Sequence, residues 1–290
     1  MQVRAIVGYD GSPAATAAID EGAMLLPQAQ VWITHLWSPP FATSGVRERL
    51  WATAGGVDQL VESIEREGEH EARRLTDMGV RLARAAGWDA EPLVRRSYGG
   101  EGLGLARIAQ ELAADLILVG SRGLGGARAV LGSVSDLVVH HAPRPVLVVP
   151  HPLLIAERHA LPDGPVLVGW DGSAGSAAAL AAATRLFPAR DLLAVSVDDR
   201  HGRPVATDPP PTAAGRLTHL HVAAGDGPPA RAVATALAGC ARGHGAALLV
   251  VGSRGRSAAR EILFGSAAMA TLHHAHRPVM VVPGTKDGPG

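Results

Sequence analysis

Short apolar runs alternate with longer stretches of helical spacing along the chain. Val3–Tyr9 is a β-branched apolar run, and an alanine-rich helical stretch begins at about Ser12. Val31–Trp37 is a second run, and Pro39, Pro40 and several glycines then predict a long loop over residues 38–56. From Val57 to about Ala86, Leu60, Ile64, Ala72, Leu75 and Val80 recur at roughly helical spacing among many Glu and Arg residues. That pattern predicts an amphipathic helix with one wet face. Glu91–Arg96 reads as a third strand, Leu103–Ala113 as a helix, Leu116–Val119 as a fourth strand, Ser133–His141 as a helix and Val146–Val149 as a fifth strand. Near-continuous apolar strands separated by helices predict a parallel sheet covered on both faces, a doubly wound α/β architecture.

The pattern occurs twice. Val7-Gly8-Tyr9-Asp10-Gly11-Ser12 returns as Val168-Gly169-Trp170-Asp171-Gly172-Ser173, and Val119-Gly120-Ser121-Arg122-Gly123 as Val251-Gly252-Ser253-Arg254-Gly255. Gly132-Ser133 matches Gly265-Ser266, and Arg144–Pro150 matches Arg277–Pro283. Four segments recurring in one order mark an internal duplication. The predicted domains are residues 1–150 and 165–284, joined by a linker over 151–164 that contains Pro162 and Gly164. The second half is expected to carry strands at Val166–Val168, Leu192–Val197, Leu217–Val222, Ala247–Val251 and Val279–Val282. Between its second and third strands, Asp198–Arg216 holds Pro204, Pro209, Pro210 and Pro211 and no helical pattern, so one crossover helix is expected to be missing.

Composition narrows the function classes. The 290 residues carry 27 basic and 27 acidic side chains, which leaves no excess positive charge to draw in phosphate backbones and disfavours a nucleic-acid binder. With 47% apolar and 19% charged residues, the chain is not of disordered type. A single cysteine, Cys240, permits no internal disulfide and fits a reducing, cytoplasmic setting. No signal-peptide pattern and no apolar run of eighteen residues is present, so no membrane association is expected.

Candidate chemistry gathers at strand ends. Asp10 and Asp171 each end a first strand and precede Gly-Ser. Ligands of open α/β sheets bind beyond the carboxyl ends of the strands, where such a carboxylate can accept hydrogen bonds from ribose hydroxyls. The same Asp and Ser residues also suit a plain turn with a helix cap. Gly120-Ser121-Arg122-Gly123 and Gly252-Ser253-Arg254-Gly255 follow the fourth strands, where glycines allow backbone amides to approach a phosphate. Gly132-Ser133 and Gly265-Ser266 open the next helices, whose free amides and dipole favour an anion.

Several chemistries are disfavoured. The sole lysine, Lys286, sits in a polar tail, and no GxxxxGK[ST] loop is present. Gly100-Glu101-Gly102-Leu103-Gly104 fails the dinucleotide fingerprint, because Leu105 or Arg107 stands where its third glycine belongs. His140-His141 and His273-His274-His276 suit helix ends better than a metal, so no metal ligand is assigned.

The chain resembles a tandem universal stress protein of the adenine-nucleotide-binding kind, from Val3 to Pro150 and from Pro165 to Pro283. The family signature, G-x2-G-x9-G-[ST], is met by Gly252, Gly255, the nine residues Arg256–Phe264 and Gly265-Ser266. In the first half, Leu124–Leu131 supplies only eight residues between Gly123 and Gly132. The resemblance implies two tandem Rossmann-like domains of the adenine nucleotide alpha hydrolase-like kind, each a five-stranded parallel-type sheet covered by helices. It also implies ATP as ligand, with Mg²⁺ as a companion ion. Asp10 and Asp171 are then assigned to ribose, Leu36 and Val197 to adenine, and Gly8 and Gly169 to the crevice wall.

Phosphate falls to Gly120, Gly123, Gly132, Ser133 and Val134 in one half, and to Gly252, Gly255, Gly265, Ser266 and Ala267 in the other. Arg122, Arg128, Arg254 and Arg256 are further phosphate donors on this reading, or ordinary solvated arginines. The resemblance also implies pairing through the fifth strands, within the chain as a pseudo-dimer or between two chains as a homodimer. The leading functional reading is an ATP-binding regulatory protein of the stress response. A weak ATPase or phosphotransferase, and an interaction module that has lost its ligand, are the alternatives.

Overall fold

Among the described residues, ten strands form where the apolar runs fall: β1 (Arg4–Gly8), β2 (Gln30–Trp37), β3 (Asp89–Arg96), β4 (Leu116–Gly120), β5 (Val146–Val149), β6 (Val166–Gly169), β7 (Leu192–Asp198), β8 (Leu217–Ala223), β9 (Leu248–Gly252) and β10 (Val279–Val282). Eight helices among the described residues accompany them: α1 (Pro13–Leu25), α2 (Val57–Ala85), α3 (Glu101–Glu111), α4 (Ser133–His141), α5 (Ile155–Ala160), α6 (Ala174–Leu186), α7 (Pro229–Gly243) and α8 (Ser266–His274). This computed structural model describes residues 2–38, 57–97, 100–121, 131–198, 207–210, 216–253 and 265–284. All but the first residue of the loop expected over 38–56 lies outside them.

Local signals account for the helix starts. Ser12 caps α1, its Oγ accepting from the Ala15 amide at 3.2 Å, and Pro13 stands where a missing N–H costs nothing. Ser173 repeats the cap on α6, accepting from the Ser176 amide at 3.1 Å. Ahead of each cap, Gly11 (φ 76°) and Gly172 (φ 74°) turn left-handed, a conformation glycine adopts without a Cβ penalty.

The strands make one continuous sheet in the order β3-β2-β1-β4-β5-β10-β9-β6-β7-β8. The two expected five-stranded sheets are joined through β5 and β10, the fifth strands of the two halves. Every neighbouring pair is parallel except β5 and β10, which run antiparallel with Val146 opposite Val281 and Val148 opposite Val279. That pairing occupies both fifth-strand edges within the chain and leaves β3 and β8 at the sheet margins. Each core is shared by both halves. Ile19, Ile33, Leu180 and Ala194 pack on one face, and Ile6, Ile117, Leu167 and Val281 on the other.

Polar contacts reinforce the junction. Arg185 Nη1 meets Asp115 Oδ1 at 2.6 Å, and Arg190 donates to the Leu161 and Gly164 carbonyls at 2.7 and 2.9 Å. The linker residues 151–164 carry α5, whose buried Glu157 lies 3.8 Å from the buried Arg277. Burial holds the Arg277 guanidinium below its ordinary value, and the charge of Glu157 opposes that effect.

The halves differ on the α1/α6 face of the sheet. In the first, α2 lies across β2 and β3, approaching so closely that a Cβ on Gly79 would stand 2.7 Å from Ile33 Cγ2. In the second, the described residues between β7 and β8 are 207–210 and 216, and no helix occurs among them. Trp170 Nε1 anchors that short segment by donating to the Thr207 carbonyl at 2.7 Å.

Candidate functional site

The first-half crevice opens where β1 and β4 diverge into crossovers on opposite faces, the switch point at which such sheets hold ligands. A cavity of about 260 Å³ lies there. Gly8, Asp10, Leu36, Gly120, Gly132, Ser133 and Val134 all line it, although they come from four separate stretches of sequence. Its volume lies just below the roughly 300–1,000 Å³ of small-molecule pockets.

Asp10 is exposed at the rim, and its Oδ1 accepts from the Ser12 amide at 3.0 Å. Turn formation and capping are therefore real roles of Asp10-Gly11-Ser12. The second carboxylate oxygen makes no hydrogen bond among the described residues. Gly132 caps α4 without a side chain, and the first-turn amides of α4 have no acceptor inside their own helix. Ser135 Oγ donates to the Gly120 carbonyl at 2.9 Å, pinning the start of α4 against the end of β4.

Gly120 has a packing reason that the sequence did not show. A Cβ there would overlap the carbonyl oxygen of Ala14, so the missing side chain lets the start of α1 press on β4. Gly252 meets the Gly175 carbonyl in the same way. Neither glycine has a positive φ. Close packing, rather than a left-handed turn, therefore requires both.

The cavity also recruits residues missed by sequence reasoning, notably His35, Thr34 and Glu101. His35 Nδ1 lies 2.8 Å from the Tyr9 carbonyl oxygen. A carbonyl only accepts, so Nδ1 carries the proton and the neutral ring keeps its lone pair on Nε2. The pairing Tyr9 N–H to the Thr34 carbonyl places His35 beside the crevice, a relation set by the register of β1 and β2.

The second half places Gly169, Asp171, Val197 and Gly252 at corresponding positions at the ends of β6, β7 and β9, with Gly265, Ser266 and Ala267 opening α8. Asp171 Oδ1 accepts from the Ser173 amide at 3.0 Å, matching Asp10. The Gly265 amide is engaged by the Ser253 carbonyl at 2.6 Å, so anion contacts there fall to the amides of the first turn of α8. Arg122, Gly123, Arg128, Arg254, Gly255 and Arg256 lie outside the described residues.

A larger groove of about 1,160 Å³ lies at the other ends of the strands, between the turn after α1 (Leu25–Ala29) and the turn after α6 (Leu186–Asp191). None of the expected site residues lines it. Of the helix-end histidines, His274 ends α8 and His276 lies beyond it, and the His140 and His141 rings are 6.5 Å apart. Among the described residues, no helix is long and apolar enough to cross a membrane.

A family model described as the universal stress protein family matches residues 2–150 and 214–283. Universal stress protein Rv2005c of Mycobacterium tuberculosis is 31% identical over 95% of this chain and 95% of its own length. Among solved structures, a universal stress protein from Archaeoglobus fulgidus covers 98% of this chain and 97% of its own at 17% identity, with a TM-score of 0.62. A second universal stress protein from Archaeoglobus fulgidus, solved in complex with dAMP, covers 51% of this chain and 97% of its own at 19% identity, with a TM-score of 0.35.

Proposed function

From the premise that this chain belongs to the universal stress protein family, we propose that its strand-end crevices bind ATP and that occupancy regulates its interactions under stress. One observation carries this reading: residues from β1, β2, β4 and α4, singled out for nucleotide chemistry, converge on a single cavity. The parts have complementary tasks. Leu36 and Leu105 supply apolar surface for a base, and His35 Nε2 offers an acceptor to an amino group. The second oxygen of Asp10 would accept from a ribose hydroxyl, and the α4 amides with Ser133 Oγ would take the phosphates. Asp10 and Glu101 bring two carboxylates to the same cavity, so a Mg²⁺ ion would offset their repulsion of the phosphates. In the second half, Asp171, Val197, Gly252 and the start of α8 stand at the corresponding strand and helix ends.

Calorimetric titration with ATP and Mg²⁺ tests the assignment. Gly132→Glu sets a carboxylate at the first phosphate position and Gly265→Glu at the second. Neither backbone is left-handed (φ −64° and −74°), so neither position needs glycine for its backbone conformation. Each variant is expected to remove its own crevice from the stoichiometry. Unchanged stoichiometry and affinity in both would sink the assignment.

A further inference from the structure

On the sheet face that α2 covers in the first half, β8 carries two histidines, His219 and His221, two residues apart and therefore on one side of the strand. The register places them where the first half has Pro92 and Val94: Ala194 pairs with His219 as Ile33 pairs with Pro92, and Ser196 with His221 as His35 with Val94. Their ring centroids are 4.4 Å apart. Asp208 reaches them from the segment anchored by Trp170. One potential ligand atom each from Asp208, His219 and His221 lies within 4.8 Å of the others. This is the one such triple of His, Cys, Asp or Glu among the described residues.

The hydrogen bonds fix the protons. Ser196 Oγ donates its hydrogen to the Trp170 carbonyl at 2.9 Å, so toward His219 Nε2, also at 2.9 Å, it can only accept. His219 Nε2 therefore carries a proton, and the neutral ring turns the lone pair of Nδ1 toward Asp208 Oδ1, 2.8 Å away. Two acceptors at that distance require a cation between them, either a second proton on the ring or a metal ion. His221 Nδ1 donates to Asp198 Oδ1 at 2.9 Å, which leaves Nε2 as its lone-pair nitrogen. Each ring thus has one nitrogen held by a partner and one lone pair to offer. That is how the protein matrix usually orients metal-binding imidazoles.

We propose that Asp208, His219 and His221 bind a divalent transition-metal ion of the zinc class, with Ser196 and Asp198 as positioning residues. Two imidazole nitrogens and one carboxylate oxygen suit Zn²⁺ and its neighbours rather than Mg²⁺ or Ca²⁺, which favour all-oxygen sets. Three protein ligands leave a fourth position for water or an anion. Tetrahedral bonds of about 2.0–2.1 Å separate ligand atoms by roughly 3.3 Å, so the Asp208–His219 contact opens by only a few tenths of an ångström. The loop-borne Asp208 side chain, 92% exposed, has room for that adjustment, whereas His219 is held at 13%. The site does not depend on the nucleotide reading.

The test uses the full chain without an affinity tag, stripped of metal and free of nucleotide. Zn²⁺ titration against a competing chelator is expected to show an ion bound at this cluster. The His219→Ala/His221→Ala double variant should weaken that binding at least 100-fold, and Asp198→Asn about 10–100-fold. Co²⁺ substitution should give the visible spectrum of a four-coordinate nitrogen/oxygen site that vanishes in His221→Asn, with circular dichroism unchanged. His273→Ala/His276→Ala should leave binding as it was. If the wild-type chain takes up no Zn²⁺, or the double variant binds it as tightly, the cluster holds only a proton and the proposal fails.

Discussion

Glu21 offers a quantitative test of how α1 meets the linker helix α5. It is a buried side chain, 6% exposed, on a helix otherwise rich in alanine, and its Oε2 has no hydrogen-bond partner. Removal from water pushes its pKa from the ordinary 4.5 to about 7; Arg158 of α5 opposes the rise, and Asp20 adds slightly to it. The unfolded chain regains the ordinary value, so between pH 4.5 and 7 the folded state binds more protons than the unfolded one. Stability therefore falls as pH rises through this window. At about 1.4 kcal/mol per pH unit, the loss reaches roughly 3 kcal/mol above pH 7. Glu21→Gln keeps the shape and cannot ionise. Urea unfolding of both chains from pH 4.5 to 8.5 should show the wild type losing ground to Glu21→Gln steadily up to pH 7, then holding a constant deficit. A difference between the two that stays flat over this range would refute the desolvation argument.

Other perturbations test other contacts. Gly120→Ala drives a Cβ into the Ala14 carbonyl, a backbone atom that cannot rotate away, and should cost about 1–3 kcal/mol in thermal or denaturant unfolding. Gly8→Ala should be milder, because its nearest neighbours, at 3.1 and 3.2 Å, are the side-chain tips of Leu105 and Val119. Glu157→Ala leaves the Arg277 guanidinium buried without its carboxylate and should destabilise the junction by about 3–5 kcal/mol; a loss below 1 kcal/mol would mean that the pair is already solvated. Burial raises the Cys240 thiol above its ordinary value, so alkylation of the native chain at pH 8 should run well behind that of the denatured chain. Equal rates would show the thiol to be open to solvent.

The local half of this molecule is written in its sequence. Strand positions, the caps at Ser12 and Ser173 and the start of α4 at Ser133 each depend on a few neighbouring residues, through alternation, side-chain capping and glycine placement. The gathering of Gly8, Asp10, Leu36, Gly120 and Ser133 was legible for a related reason: in a parallel sheet, every strand end arrives at one rim. Contacts between distant segments were legible only in outline. Pairing of β5 with β10, one of the two fifth-strand pairings that the resemblance implied, joins the halves into one sheet, because each exposed edge finds its hydrogen-bond complement in the other half of the same chain. His35 joins the crevice, and His219 and His221 meet Asp208, through strand register and loop path; the only hint in sequence was the two-residue spacing of the β8 histidines. That Gly120 also lets the carbonyl of Ala14 stand beside β4 was not legible in the sequence. Sequence fixes what a residue can do within a few positions along the chain, and only the folded sheet decides which distant residue it does it with.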